Sequence, residues 1–368
     1  MTAAFQFLEN PSSKKLIILF SDPSAYDMWG LEAHLRKAAN VLVIRVNEKT
    51  WYQNGVPGLG KSLEETISSI TTWQKNHKIS KTYCLGQSVG GYGALLFAGF
   101  LDAKGMAFGG ETVLGVPHGL YVRRANKAMQ ITHGNLSAMF RRGINATHIV
   151  GERDPVSLYC AAQSTEVPRL KVTTLQRVGT QVAQELHAQG VLTRLLTSWL
   201  QGTRLAGLPA VGMGLTSDRF ASNFYVGWCK LREKNYETAV DYLTLAAQAY
   251  PEHDAVRLHL GRAYHSLGAH QEALAQFTAT HEMAPQADAL NGIGVSLRMI
   301  GDILQARQKH QEVITSWPED AAGWYNLGLC DLNLGQKNVA LVHFRRAAEL
   351  DPKNKSYAAR VKALEAKM

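Results

Sequence analysis

The stretch that decides the fold of the N-terminal half is Lys81-Thr82-Tyr83-Cys84-Leu85-Gly86-Gln87-Ser88-Val89-Gly90-Gly91-Tyr92-Gly93-Ala94. Its first residues have the apolar composition of a buried strand, and residues 89–102 have the composition of an apolar helix. A Gly-x-Ser-x-Gly sequence centred on Ser88 joins the two. Larger side chains two residues before and after the serine would collide in a tight turn, so the glycines permit a strained backbone there. The sequence therefore predicts a strand, a sharp turn that exposes the Ser88 hydroxyl, and a helix.

The residues on both sides of this turn alternate between the same two patterns. Apolar, β-branched runs predict strands at residues 16–20, 41–46, 82–85, 106–108, 149–150 and 172–175. The spacing of apolar residues predicts helices near 27–39, 63–77, 89–102, 156–165 and 181–200. Continuous apolar strands that alternate with helices are typical of an α/β domain with a doubly wound, mostly parallel sheet. We assign this domain to residues 1–201 and interpret the Gly-rich segment 202–219 as a linker.

In its strand–turn–helix context, Gly86-Gln87-Ser88-Val89-Gly90 resembles the nucleophile elbow of the α/β-hydrolase family. The resemblance covers roughly residues 10–201. It implies a serine hydrolase-like fold in which Ser88 is the nucleophile and the Val89 amide donates to an oxyanion. The alternative is a plain glycine-rich turn between strand and helix, such as one that binds a phosphate.

The family's chain order of serine, acid and histidine implies Asp154 as the acid, because it follows the strand at 149–150. A helix-capping role is the alternative for Asp154. The position expected for the histidine holds Thr180 or Gln181, and neither can act as a general base near neutral pH. His187 is the nearest candidate, but it lies about 10 Å further along a helix, where a surface or packing role is the alternative. Two other candidates lie on irregular stretches after the strand at 106–108: His118 and His133.

The second oxyanion donor would come from Ser21 or Asp22, which follow the strand at 16–20. The sequence of this loop is unfavourable for stabilising an oxyanion. A carboxylate at Asp22 disfavours a developing oxyanion, Pro23 has no amide hydrogen, and no glycine occurs in the loop before Gly30. The triad and the oxyanion hole are therefore both expected to be incomplete.

A ligand wall is predicted from the segment after the strand at 41–46. Trp51, Tyr52 and Asn54 follow the sheet edge that carries Ser88, and open α/β sheets bind their ligands at that edge. Together with Gln87, we expect them to contact a sugar or a similar polar ring, which stacks on aromatic rings and bonds to amides. The alternative is a structured loop that packs its own aromatic residues.

The C-terminal part contains an internal repeat with a period of 33 or 34 residues. Three residue types recur in phase over four copies: Gly227, Gly261, Gly294 and Gly328; Ala239, Ala273, Ala306 and Ala340; Pro251, Pro285, Pro318 and Pro352. Each copy has the pattern of two short helices that pack closely at the glycine and the alanine. The fourth copy, with Trp324, Leu327 and Phe344, most clearly resembles the tetratricopeptide repeat (TPR). We assign four repeats to residues 220–352 and a polar capping helix to 353–368.

The TPR resemblance implies a concave face lined by the first helix of each repeat. Family positions place eight residues there: Phe224, Trp228, Arg262, His265, Asn291, Arg298, Tyr325 and Leu329. Aromatic residues and arginines supply much of the binding energy of protein interfaces. We therefore expect a protein or peptide partner, with oligomerisation or a rigid spacer as the alternative.

Composition and charge limit the class of protein. The 368 residues are 46% hydrophobic and 19% charged, which excludes a disordered chain, a coiled-coil rod and a collagen-like repeat. The formal charge of +9 lies entirely before residue 220, where there are 23 Lys+Arg and 14 Asp+Glu. These basic residues include Arg123-Arg124 and Arg141-Arg142 without interleaved aromatic residues, which argues against nucleic acid. They fit an anionic substrate or partner, or a solvated surface.

The cysteines are dispersed and match no metal-binding or disulfide pattern: Cys84, Cys160, Cys229 and Cys330. We interpret them as buried, reduced thiols. The first twenty residues lack the pattern of a signal peptide, and no window approaches the roughly 18 apolar residues that span a membrane. We expect a cytoplasmic protein with no metal and no cofactor.

Two functions agree with these observations. The first is a serine esterase or deacylase that acts on a small ester, such as a modified glycan or an anionic ester, and that uses its repeats to bind a protein. The second is a catalytically degenerate hydrolase domain that serves as a binding or scaffold module.

Overall fold

The structure of the chain, a computed structural model, describes residues 3–21, 30–45, 49–127, 131–205 and 207–367. The chain divides into two compact units, Met1–Tyr225 and Val226–Met368. Within the described ranges, no helix is both long enough and apolar enough to cross a membrane.

Strands and helices alternate through the first unit. Its strands are β1 (Phe5–Leu8), β2 (Lys15–Ser21), β3 (Asn40–Arg45), β4 (Lys81–Gln87), β5 (Lys104–Phe108), β6 (Ala146–Gly151) and β7 (Leu170–Leu175). Its helices are α1 (Leu31–Arg36), α2 (Leu63–Asn76), α3 (Val89–Phe100), α4 (Leu120–Arg124), α5 (Leu136–Met139), α6 (Pro155–Ala162), α7 (Val182–Ala188) and α8 (Leu192–Gln201). All six strands expected from apolar runs are confirmed, whereas β1, α4 and α5 were not expected.

The strands of the described residues form one seven-stranded sheet in the order β1-β3-β2-β4-β5-β6-β7. β1 is antiparallel to β3, and every other neighbouring pair is parallel. One apolar cluster packs α2 and α3 on one face of the sheet, and a second packs α1, α7 and α8 on the other. The strand order reverses between β2 and β4, so their carboxyl ends flank the crevice where open α/β sheets bind ligands.

The prediction of a single helix over 181–200 is wrong. α7 ends at Ala188 and α8 begins at Leu192. Between them, Gly190 has a φ of 69°, a left-handed conformation that ends a helix. The result is two short helices that both pack on the sheet.

The segment expected to be a linker is hydrogen-bonded to the first unit. The Gly212 amide donates to the carbonyl of Thr174 in β7 at 3.0 Å. The Gly214 amide donates to the buried Glu152 carboxylate at 2.5 Å. Thr174 belongs to β7 and Glu152 directly follows β6, so residues 212 and 214 are bonded at this edge of the sheet. The assignment of residues 202–219 as a linker stays a prediction.

The C-terminal helices form consecutive pairs. They are α9 (Asp218–Arg232), α10 (Tyr236–Ala249), α11 (Asp254–Ser266), α12 (His270–Met283), α13 (Ala287–Met299), α14 (Ile303–Ser316), α15 (Ala321–Asn333), α16 (Lys337–Leu350) and the capping helix α17 (Lys355–Glu365). An added Cβ on any of the four repeat glycines would lie 2.6–2.8 Å from a side chain of the second helix. The four repeat alanines are fully buried. The predicted close packing of the helix pairs is confirmed.

Candidate functional site

The candidate site lies at the carboxyl ends of β2 and β4, where Ser88 connects β4 to α3. Ser88 has φ 55° and ψ −119°, a strained conformation for a residue with a side chain. A Cβ on Gly86 would lie 2.1 Å from the carbonyl oxygen of Gly90, and one on Gly90 would lie 2.6 Å from that of Phe20. The predicted tight turn, and the need for glycine on either side of the serine, are confirmed.

The Ser88 hydroxyl is half-buried and makes no hydrogen bond to a described residue. All thirteen histidines of the chain lie in the described ranges, so no imidazole is hydrogen-bonded to this hydroxyl. Val89 is the first residue of α3, and the amides of a first helical turn have no carbonyl partner within the helix. The turn thus combines a strained serine with an amide donor, and no described histidine is hydrogen-bonded to that serine.

Gln181 occupies the loop between β7 and α7, where the hydrolase resemblance expects the histidine. The Gln87 amide group donates to Gln181 Oε1 at 2.7 Å. The Ala183 backbone amide donates to Gln87 Oε1, also at 2.7 Å. Because Gln87 immediately precedes Ser88, these two bonds hold the loop beside the elbow. The loop therefore reaches the site with a carboxamide side chain instead of an imidazole.

Asp154 caps α6 and is hydrogen-bonded within its own turn. Its carboxylate accepts hydrogen bonds from the Val156 amide at 3.2 Å and from the Ser157 hydroxyl. Ser157 Oγ in turn accepts one from the Gly110 amide at 3.2 Å. An added Cβ on Gly110 would lie 2.4 Å from the Ser88 carbonyl oxygen. Asp154 therefore supports the elbow through Ser157 and Gly110, and burial raises its pKa.

The three candidate histidines have other surroundings. His187 is exposed in the last turn of α7. His133 Nε2 lies 4.0 Å from the Glu64 carboxylate, and its ring packs against Phe100 at the opposite end of α3 from the elbow. His118 is half-buried in the turn before α4, with a φ of 58°. A role for His187 as the base stays a prediction.

Sequence reasoning missed two buried ionisable side chains near this edge of the sheet. Glu111 follows β5 and accepts hydrogen bonds from the amides of Leu120 and Tyr121; its burial raises its pKa to about 7. Burial lowers the pKa of His148, on β6, to about 4, and its Nε2 lies 3.1 Å from the Gly109 carbonyl oxygen. The sequence does contain a signal for Glu111, because this acidic residue directly follows a pair of glycines at the end of a strand. It contains no such signal for His148, which is a single histidine in an apolar strand.

Ser21 ends β2 on the other side of the crevice. Its side chain is almost fully buried, and its hydroxyl has no hydrogen-bond partner among the described residues. Arg45 is its neighbour in β3, and the Arg45 Nε is likewise buried without a described partner. Asp22 lies outside the described residues. The oxyanion role of Ser21 and Asp22 stays a prediction.

The aromatic segment that follows β3 packs inward. Trp51 and Tyr52 are 0% and 2% exposed, and both have a positive φ. Their rings meet Tyr92 and Phe20 edge-on, with centroids 5.6 and 5.2 Å apart. A ligand cannot stack on these two rings in this conformation, because core side chains cover them. Asn54 is exposed, and its contact with a ligand stays a prediction.

The residues expected on the TPR face differ in their contacts. Phe224 is fully buried and therefore inaccessible to a partner. Four others interact within the chain: Trp228 with Arg232, Arg262 with Asp288, Asn291 with Asp320, and Tyr325 with Phe344. The side chains of His265 and Arg298 make no hydrogen bond to a described residue. Among the residues that the structure describes, no group of three metal-ligating side chains occurs.

Models of one family match the C-terminal part. Residues 230–292 and 321–354 match the tetratricopeptide repeat. No curated protein matches the chain. Three solved structures illustrate what the chain is similar to. MamA from Desulfovibrio magneticus is 23% identical over 41% of this chain and 86% of its own, with a TM-score of 0.37.

The other two are more distant or less fully covered. PilF from Pseudomonas aeruginosa is 22% identical over 41% of this chain and 69% of its own, with a TM-score of 0.37. TTC0263, a TPR protein from Thermus thermophilus, is 14% identical over 50% of this chain and 96% of its own, with a TM-score of 0.37. On the family models and the glycine-centred packing of the helix pairs, the C-terminal part of the chain is composed of tetratricopeptide repeats.

Proposed function

We propose that the N-terminal unit is an α/β-hydrolase-like module that binds a ligand without turning it over, and that the TPR repeats connect it to a protein partner. The observation that supports this most strongly is the Gln181 carboxamide bonded beside the elbow. A carboxamide cannot accept a proton from serine near neutral pH.

Without an adjacent base, a nucleophile elbow loses most of the catalysis that it can supply. A serine hydroxyl is a weak nucleophile unless an adjacent base takes its proton. Loss of the histidine from a serine triad lowers kcat by about a millionfold. In addition, the Asp154 carboxylate accepts bonds from Val156 and Ser157, which supports a helix-capping role.

The crevice keeps features that suit binding. The first turn of α3 presents backbone amides, which favour negative charge. Ser21 and Arg45 are paired residues at the ends of β2 and β3, and the Ser21 hydroxyl and the Arg45 Nε have no hydrogen-bond partner among the described residues. The net charge of +9 that precedes residue 220 also favours an anionic ligand.

An active esterase or deacylase for a small glycan or anionic ester is the second candidate. The strained backbone of Ser88 favours it, because such a conformation costs about 1–3 kcal/mol and persists mainly where function uses it. In this case His187 or a group from another chain would supply the base.

Two substitutions in the full-length protein test the proposal, Thr180→His and Gln181→His. We expect wild-type protein to hydrolyse p-nitrophenyl acetate no faster than Ser88→Ala. At least one histidine variant should gain hydrolysis that a further Ser88→Ala removes. Wild-type hydrolysis that depends on Ser88 would contradict the proposal, and failure of both histidine variants to gain activity would count against a hydrolase-like arrangement of the loop.

A further inference from the structure

Residues 115–119 form a short loop with a glycine at each end, and we call this loop the flap. Its base is closed by Glu111, whose carboxylate accepts a hydrogen bond from the Leu120 amide. Gly115, at one end, has a φ of 86°, and an added Cβ there would meet no atom within 4 Å. Loops of this kind move about a few terminal residues that absorb changes in φ and ψ. The flap therefore has a fixed base and an uncrowded glycine at which it can turn.

The base of the flap lies beside the elbow. Glu111 directly follows Gly110, and an added Cβ on Gly110 would lie 2.4 Å from the Ser88 carbonyl oxygen. Ser88 itself is half-buried. The main chain thus passes from contact with the elbow to the base of the flap within one residue, which places the flap at the rim of the candidate site.

Tyr225, on α9, ties the flap to a second element. Its hydroxyl donates a hydrogen bond to the carbonyl oxygen of Pro117, within the flap, at 2.8 Å. Its ring stacks on that of Tyr159 in α6, with centroids 4.3 Å apart and an angle of 17° between the planes. Tyr225 is the last residue of the first unit, so both contacts lie within that unit. The tyrosine therefore fixes the exposed part of the flap against α6.

The flap in this closed position contains a strained residue. His118 has a φ of 58°, which is unfavourable for a residue with a side chain. Such a conformation persists only where neighbouring contacts hold it. The hydrogen bond from Tyr225 to the adjacent Pro117 is one of these contacts. Its loss would therefore favour a second, relaxed position of the flap.

We propose that Tyr225 is a latch for the candidate site. While its hydroxyl is bonded to Pro117 the flap stays closed, and when this bond breaks the flap opens and exposes Ser88. Tyr225 is a positioning residue, because it acts on the site through the flap. This inference concerns access to the site, whether the site binds or hydrolyses its ligand, so its failure would leave the proposed function standing.

The test uses Ser88→Cys as a reporter in the full-length protein, with N-ethylmaleimide as the probe and mass spectrometry as the readout. The four native cysteines are buried, so protein without Ser88→Cys supplies the background rate. Adding Tyr225→Phe removes the hydroxyl and keeps the ring. We expect this variant to speed modification of the introduced thiol about fivefold, because the loss of one hydrogen bond shifts an opening equilibrium by about that factor.

The matched control is Tyr83→Phe, also combined with Ser88→Cys. The Tyr83 hydroxyl donates to the backbone carbonyl of Leu200 at 3.2 Å, and its ring packs against Trp199. These residues belong to the apolar cluster on the sheet face opposite to α3. Tyr83→Phe should therefore change the modification rate by less than about twofold, even where both variants lower the Tm equally. Equal increases in the two variants, or no increase with Tyr225→Phe, would overturn the proposal.

Discussion

Replacing Gly110 by alanine tests the contact between the end of β5 and the elbow. Gly110 has φ +100°, and an added Cβ would lie 2.4 Å from the Ser88 carbonyl oxygen. The left-handed conformation costs an alanine about 1–2 kcal/mol. Crowding against a backbone atom that cannot rotate away adds about 1–3 kcal/mol. We therefore expect the free energy of unfolding to fall by about 2–5 kcal/mol.

A matched control isolates the crowding. Gly115 also has a left-handed φ, +86°, but an added Cβ there meets no atom within 4 Å. Gly115→Ala should therefore lower the free energy of unfolding only by the cost of the left-handed backbone, about 1–2 kcal/mol. Urea unfolding of the full-length variants, followed by circular dichroism, measures both. If Gly110→Ala were no more destabilising than Gly115→Ala, the close approach of β5 to the elbow would be refuted.

Three further changes test other parts of the structure. Ser157→Ala removes the donor to the buried Asp154 carboxylate and should lower the free energy of unfolding by about 1–3 kcal/mol in urea; no change would show that this bond does not stabilise the unit. The raised pKa of Glu111, about 7 against an ordinary 4.5, means that the folded state binds its proton more tightly. The protonated Glu111 side chain therefore contributes roughly 3 kcal/mol to the free energy of unfolding below pH 4.5, and this contribution is lost as the pH rises through 7. Glu111→Gln should therefore flatten the profile of stability against pH over that range, and an unaltered profile would argue against the burial. Gly328→Ala places a Cβ 2.7 Å from the Phe344 ring and should cost about 1–3 kcal/mol, measured as a lower Tm; an unchanged Tm would contradict close packing in the fourth repeat.

The features that were predictable from the sequence depend on short-range patterns. The glycines around Ser88 identify the turn because only glycine fits within 2.1–2.6 Å of neighbouring backbone atoms. The repeat was predictable for a similar reason, since the same steric requirement recurs at Gly227, Gly261 and their equivalents. In both cases the constraint lies within a few dozen residues.

The features that were missed depend on contacts between distant segments. Nothing near Gly212 indicates that its amide bonds to β7. The inward packing of Trp51 and Tyr52 depends on Tyr92 and Phe20, which belong to other elements. The relay from Asp154 through Ser157 to the Gly110 amide likewise joins two strand ends that are about forty residues apart in the chain.

The loop at Gln181 lies between these two cases. Its place in the chain order, after the last strand, was predictable from the hydrolase resemblance, and so was the absence of a histidine at Thr180 or Gln181. The pairing of Gln87 with Gln181 was not predictable, because it joins residues 94 positions apart. It strengthens the proposal that this site binds rather than catalyses.

The most direct measurement is the labelling of Ser88 in the full-length protein with a fluorophosphonate probe, which reacts with serines that an adjacent base has activated. Wild-type protein and Ser88→Ala are compared under the same conditions, with retained secondary structure checked by circular dichroism. The account predicts that wild-type protein is labelled no more than Ser88→Ala. Rapid labelling that disappears in Ser88→Ala would contradict it and would show that the elbow has a functioning base.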